Sequence, residues 1–106
     1  MMEQVLLLIN SVPSSMNAQR AWHMAQTLHA QGHRVTLFLI QDGVLAAQKG
    51  EAALRDLPQD VACYALGEDL QLRGFVSSDL HVKTQVADYT QLIDLFEGNH
   101  RVIGAL

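Results

Sequence analysis

A single cysteine, two prolines and seven Lys plus Arg in 106 residues remove several chemistries before any pattern is read. One thiol allows no intramolecular disulfide, and that count agrees with a reducing compartment. The seven cations stand singly and the formal net charge is −4, whereas neutralising a phosphate backbone needs clustered Lys and Arg. Nucleic acid is therefore not an expected partner. The one early apolar run, "VLLLI" at residues 5 to 9, is about a quarter of the ~20 residues a membrane span requires. Neither a basic leading region nor a small-residue cleavage site accompanies it. A soluble, cytoplasmic protein with no membrane partner is the expectation.

What is present is apolar and regularly punctuated. A composition that is 49% hydrophobic and 17% charged fits one globular domain over 1–106 rather than a disordered chain. Gln4 to Ile9 is a nearly unbroken apolar run closed by Asn10, Ser11, Val12 and Pro13, the pattern of a strand covered on both faces. Ser14 or Ser15 can N-cap a helix in which Ala18, Ala21, Trp22, Ala25 and Leu28 form an apolar stripe ending at Gly32. "HRVTLFLI", residues 33 to 40, is a second strand, and the spacing fits a right-handed βαβ unit. After a "QDG" loop, a short helix from about Val44 is expected, with Gly50 opposing its extension toward Leu54.

A third strand spans Val61 to Leu66, and a short helix, Glu68 to Leu72, follows Gly67. Residues 75 to 87 carry the weakest pattern; a strand at Phe75 to Ser77 and a loop through His81 and Lys83 are expected there. Asp88 with Gln91 makes a capping box for a helix with Tyr89, Leu92, Ile93 and Phe96 on its apolar face. "RVIGAL" is the last strand. The expected fold is α/β: a flavodoxin-like, mostly parallel sheet of four to five strands flanked by helices.

In such folds ligands bind outside the carboxyl ends of the strands. That rule selects Asn10, Ser11 and Ser14 after the first strand, Gln41 and Asp42 after the second, and Leu66, Gly67 and Glu68 after the third. Arg73 could hold an anion or supply a cation to the end of its own short helix. Glu68 and Asp69 suit a helix start electrostatically, and "SVPSS" is no glycine-rich phosphate loop. The dispersed histidines give no metal site, since Gly32 lies between His29 and His33 at the helix end. Trp22 sits on the apolar stripe and reads as core. Cys63 lies about 10 Å down its strand from the rim, so it is expected to be a buried small hydrophobe with a raised pKa.

Several segments together resemble the DsrE/DsrF-like family of small sulfur-relay proteins, which includes sulfurtransferase-complex subunits of the TusD and TusB kind. The apolar strand with its Ser-containing loop, "LFLIQDGV" at 37 to 44, "ALGEDLQLRGF" at 65 to 75 and "LIDLFEGNHRVIGAL" at 92 to 106 follow the family's order. The resemblance implies a parallel-sheet fold and trimers, hexamers or related hetero-oligomers. In active members it implies a persulfide-carrying cysteine at the end of the third strand, in a pattern like Cys-Gly-x-x-Leu-x-x-Arg-Gly. Here Gly67, Leu70, Arg73 and Gly74 fill that frame and Leu66 stands where the cysteine would be.

Leucine cannot carry a persulfide. Cys63, three residues upstream, falls on the opposite face of the strand and does not inherit the role. The expectation is a homo-oligomer or complex subunit, either a partner subunit or a small-ligand binder, with no cofactor and no persulfide chemistry of its own. A sulfur carrier that uses Cys63 is the alternative, and an unrelated nucleotide-binding module a further one. The latter lacks a dinucleotide fingerprint or Walker loop. The segment from Phe75 to Val86 is the expected interface.

Overall fold

The computed structural model describes residues 2–104 and 106. Strand β1 (Gln4–Ile9) is followed by helix α1 (Met16–Ala30) and strand β2 (Arg34–Leu39). A 3-10 helix at Gln41–Ala47 and helix α2 (Ala52–Arg55) then lead to strand β3 (Ala62–Leu66) and helix α3 (Gly67–Leu72). Strand β4 (Thr84–Ala87), helix α4 (Tyr89–Gly98) and strand β5 (Arg101–Ile103) complete the order. The strands form one sheet in the order β4-β3-β2-β1-β5, and every neighbouring pair is parallel. The α/β expectation holds, but this order is not the flavodoxin order of 2-1-3-4-5. Here the chain steps steadily outward from β1 to β4 and then returns to place β5 on the other side of β1.

That winding decides where the helices go. Right-handed crossovers that advance in one direction put their connections on one face of the sheet, and a crossover in the reverse direction puts its helix on the other. Accordingly Ala18, Ala21, Trp22 and Ala25 of α1, Leu54 of α2 and Leu70 of α3 share a core with Val5, Leu7 and Ile9 of β1, Leu37 of β2 and Cys63 of β3. Leu92 of α4 packs on the opposite face against Leu6, Phe38, Leu66 and Ala87. Among the described residues, α4 is the helix that covers this second face, and Leu8, Ile40 and Tyr64 there are only partly buried.

Local signals explain the ends. The Ser15 hydroxyl accepts from the Ala18 N–H at 3.1 Å, which makes Ser15 rather than Ser14 the N-cap of α1. Gly32, at φ +90°, supplies the left-handed turn after Gln31 that an L side chain resists. The Asp88–Gln91 capping box is formed in both directions, at 2.9 and 3.0 Å.

Four expectations need correction. No strand forms at Phe75 to Ser77; Phe75 is instead a partly buried loop anchor on the main core, and the fourth strand is Thr84–Ala87. The "QDG" segment is not a loop before a helix at Val44, because the 3-10 helix begins at Gln41 itself. The apolar face of α4 is largely free: Leu92 is buried, while Tyr89, Ile93 and Phe96 are 55%, 55% and 39% exposed. Finally, the strand expected over 101–106 covers Arg101–Ile103, and Ala105 within that span lies outside the described residues.

Candidate functional site

The candidate residues at the strand ends fall into separate groups. After β2 the backbone enters the left-handed region at Gln41, with φ +50°, and this turn is held from outside. The Gln41 N–H donates to Asp69 Oδ2 at 2.7 Å, and Arg73 Nη2 donates to Asp42 Oδ1 at 2.8 Å. Arg73 Nη1 donates to the Asp69 carbonyl at 3.2 Å and lies 3.9 Å from the Asp69 carboxylate. Gln41 and Asp42, selected from the end of the second strand, and Arg73, read separately as an anion holder or a helix-end cation, are brought together here. Asp69 stands in the first turn of α3, as its reading as a helix-start carboxylate expects, and its carboxylate in addition ties α3 to the start of the 3-10 helix.

Charge counting limits what this rim can take. Asp42, Glu68 and Asp69 outnumber Arg73, and the guanidinium is already paired, so an anion arriving here meets net repulsion. The arrangement is a clasp in its own right. Asp69→Ala, which leaves a Gln41 N–H in strained backbone without its acceptor, is expected to cost about 1–3 kcal/mol. Asp42→Ala, at a carboxylate 58% exposed, should stay within about 1 kcal/mol. Urea denaturation midpoints of the two variants test the difference.

At the end of β3, Leu66 and Gly67 border a shallow depression of about 330 Å³ together with Glu68, Val86 and Tyr89. Leu66 is 1% exposed and packs with Phe38 and Leu92. A Cβ at Gly67 would meet a Val86 methyl at 3.1 Å, so β4 is drawn in close beside the start of α3. Cys63 points to the other face and is 1% exposed within the main core. Burial pushes its thiol up to about 12, against a small opposing pull from the Lys83 ammonium. Lys83 is itself committed, donating to the Leu57 and Pro58 carbonyls at 2.9 and 2.7 Å.

The direction of winding reverses between β1 and β5, the position where open α/β sheets leave a ligand crevice. Here the chain fills it. The Leu106 carbonyl accepts from the Asn10 N–H at 2.8 Å, from the Ser11 N–H at 3.2 Å and from the Ser11 hydroxyl at 3.0 Å. Ser14 belongs elsewhere. It lines a groove of about 600 Å³ between α1 and the segment from Leu45 to Asp56, with Trp22 in its wall. The sequence reading placed Trp22 in the core and did not find this groove. Glutamines at 19 and 26, flanking Trp22 at helical spacing, were the available signal.

His29 and His33 do not come together. His29 Nε2 pairs with Asp60 Oδ1 at 2.7 Å, a bond that holds the Asp60 carboxyl below its ordinary value, while His33 Nδ1 accepts from the Glu3 N–H at 3.0 Å. Among the described residues there is no group of three or more His, Cys, Asp or Glu placed to hold a metal ion. Among the same residues, no helix is long and apolar enough to cross a membrane.

The family model for DsrH-like proteins matches residues 20–102. The chain belongs to the DsrH-like family. That assignment narrows the broader DsrE/DsrF-like resemblance read from the sequence. Among curated proteins, this DsrH-like chain is 39% identical to Protein TusB of Photorhabdus laumondii over 66 residues, which cover 61% of this chain and 68% of that protein. Its fold is that of the ychN protein from E. coli, at a TM-score of 0.88 and 19% identity over 98% of this chain and all of the other. A protein of unknown function from Methanobacterium thermoautotrophicum, MTH1491, follows at 0.82 and 17% identity, covering 97% of this chain and 99% of that one. Both likenesses, at such identities, concern the fold.

Proposed function

We propose that this DsrH-like protein is a non-catalytic partner subunit of a TusB-like sulfur-relay assembly, working in the cytoplasm. The observation that carries the proposal is the end of β3. Leu66, 1% exposed, closes the position where the sequence frame places a persulfide cysteine. The chain's one thiol lies on the far side of the sheet, buried and shifted to about 12. Sulfur transfer needs a thiolate that a donor can reach, and neither condition is met.

A subunit also needs a surface to offer. The stripe formed by Tyr89, Ile93 and Phe96 on α4, together with partly buried Leu8, Ile40 and Tyr64 on the same sheet face, supports association with another chain. The proposed interface is therefore the second face rather than the whole of Phe75 to Val86, with Val86, 54% exposed, at its border. Homo-oligomerisation belongs to the same proposal.

The native protein is expected to gain no sulfur atom in intact-mass spectra after treatment with a persulfide donor. Light scattering should show a species heavier than the 11.7 kDa chain, and Tyr89→Asp with Ile93→Asp should return it to monomer. A stable gain of one sulfur, lost in Cys63→Ala, would establish the sulfur-carrier reading instead.

A further inference from the structure

Two helices on opposite faces of the sheet carry ionisable groups of one kind only. α1 holds Arg20, His23 and His29 and no Asp or Glu, whereas α4 with its cap holds Asp88, Asp94 and Glu97 and no Lys, Arg or His. α1 packs on the main core and α4 on the second one, so the two cannot neutralise each other within one copy. Among the described residues Arg20, Asp94 and Glu97 make no ion pair. Glu97 also stands in the last turn of α4, which has no basic residue, and there a carboxylate meets the negative end of the helix dipole.

Each helix presents an apolar surface as well. Along the outer side of α1, Met16, Arg20, His23, Met24 and Leu28 line a groove of about 550 Å³, with Met16 66% exposed. No carboxylate lines it, whereas the depressions beside Trp22, His29, Leu66 and Arg73 have Glu51, Asp60, Glu68 and Asp79 in their respective walls. In a chain with 11 Asp plus Glu against 7 Lys plus Arg, this is the surface to which an acidic helix fits. On α4 the exposed Tyr89, Ile93 and Phe96 are spaced four and three residues apart, which sets them in one row. Glu97, four positions after Ile93, borders that row.

We infer that the α4 row of one copy docks in the α1 groove of a second copy. The inference rests on the subunit proposal for the α4 surface and adds the surface that it meets. Tyr89 and Phe96 rings entering a groove walled by methionines gain sulfur–ring contacts, and the flexible thioethers adapt to their shape. Glu97 and Asp94 arrive against Arg20, so the ion pairs missing within a copy form between copies. Two α4 rows packed antiparallel on each other would instead bring Asp88 of one copy toward Glu97 of the other, carboxylate against carboxylate. The contact is heterologous: every docked copy leaves its own groove or its own row free, so association continues past the dimer.

Two blocked variants of the full chain test this by light scattering. Tyr89→Asp with Ile93→Asp removes the row, and Met16→Glu with Arg20→Glu reverses the groove at two exposed positions. The mass of the parent should rise with concentration beyond twice the 11.7 kDa of the chain, and each variant alone should stay a monomer. Mixed in equal amounts, the two should form a dimer that grows no further, since one supplies the intact groove and the other the intact row; that recovery also shows that both are folded. A mixture that stays monomeric would overturn the docking. Should the Met16, Arg20 variant associate like the parent while the Tyr89, Ile93 variant is monomeric, the α1 groove is overturned and the α4 interface of the subunit proposal stands. A parent that is monomeric at about 100 μM, where a contact of micromolar Kd would be nearly saturated, overturns both. In the parent background Glu97→Lys should weaken association at least about tenfold, and adding Arg20→Glu to the same chain should restore most of it; no recovery would overturn the charge pairing.

Discussion

Cys63 in the folded protein is expected to react with a disulfide reagent at neutral pH at least about a thousandfold more slowly than an unhindered thiol. The reacting species is the thiolate. Raising the pKa from 9.0 to about 12 lowers the thiolate fraction at pH 7 about a thousandfold, before any allowance for the 1% exposure of the side chain. Stopped-flow kinetics on native protein, and again in guanidinium, test this. The unfolded chain should react at the ordinary rate, and native reactivity within about tenfold of it would remove the basis for calling the thiol inert.

The same shift has a thermodynamic counterpart. Because the folded-state pKa is raised, the contribution is fully present below the unfolded value of about 9 and is lost as pH rises toward about 12. Three units correspond to at most about 4 kcal/mol. Other groups titrate over that range, so the useful quantity is the difference in alkaline stability between the parent and Cys63→Ala. The variant should be less stable near neutrality through lost packing and should lose less stability on alkalinisation. Equal slopes would mean that the thiol finds water in the native state.

How much was readable in the sequence follows from what each element depends on. β1, β2 and β3 are buried on both faces, so their apolar runs name them almost without reference to the rest of the chain. α1 carries its own cap and stop in Ser15 and Gly32. β4 carries no such mark, because a four-residue edge strand with Gln85 and Val86 exposed has little apolar pattern to show. Phe75 drew the strand assignment because it is aromatic, but its partners in the core are supplied by tertiary packing.

The candidate site divides in the same way. Strand ends located Gln41, Asp42, Leu66 and Gly67, and an odd-residue offset correctly put Cys63 and Leu66 on opposite faces. The bond from the Gln41 N–H to Asp69 spans 28 positions, and no local pattern announces it. Asn10 and Ser11 looked free after β1 because their partner, the Leu106 carbonyl, lies 95 residues from Ser11. The groove beside Trp22 is assembled from segments that are remote in sequence, so its tryptophan was legible and its acidic border was not.

Gly43→Ala is expected to be the most disruptive of the chain's glycine-to-alanine changes. A Cβ at Gly43 would sit 2.1 Å from the Ile9 carbonyl oxygen and 2.8 Å from its carbon, and both are backbone atoms of β1 that no rotamer change can move. Gly43 is buried where the 3-10 helix meets the end of β1, and its own N–H already donates to the Ile40 carbonyl at 2.9 Å. Either β1 gives way, between β2 and β5 inside the sheet, or Gln41 to Val44 lifts off. The second course breaks the Gln41–Asp69 bond and separates Asp42 from Arg73, so the clasp cannot survive the relief of the clash. The cost should be about 3 kcal/mol or more, lowering the thermal midpoint by more than about 10 °C. Gly50→Ala supplies the contrast, since a Cβ there meets nothing within 4 Å and the change should stay within about 0.5 kcal/mol. Calorimetric scans of the two variants side by side decide the matter: similar midpoints would mean that the "QDG" turn is not pinned to β1, and that close approach is not what requires a glycine at this position.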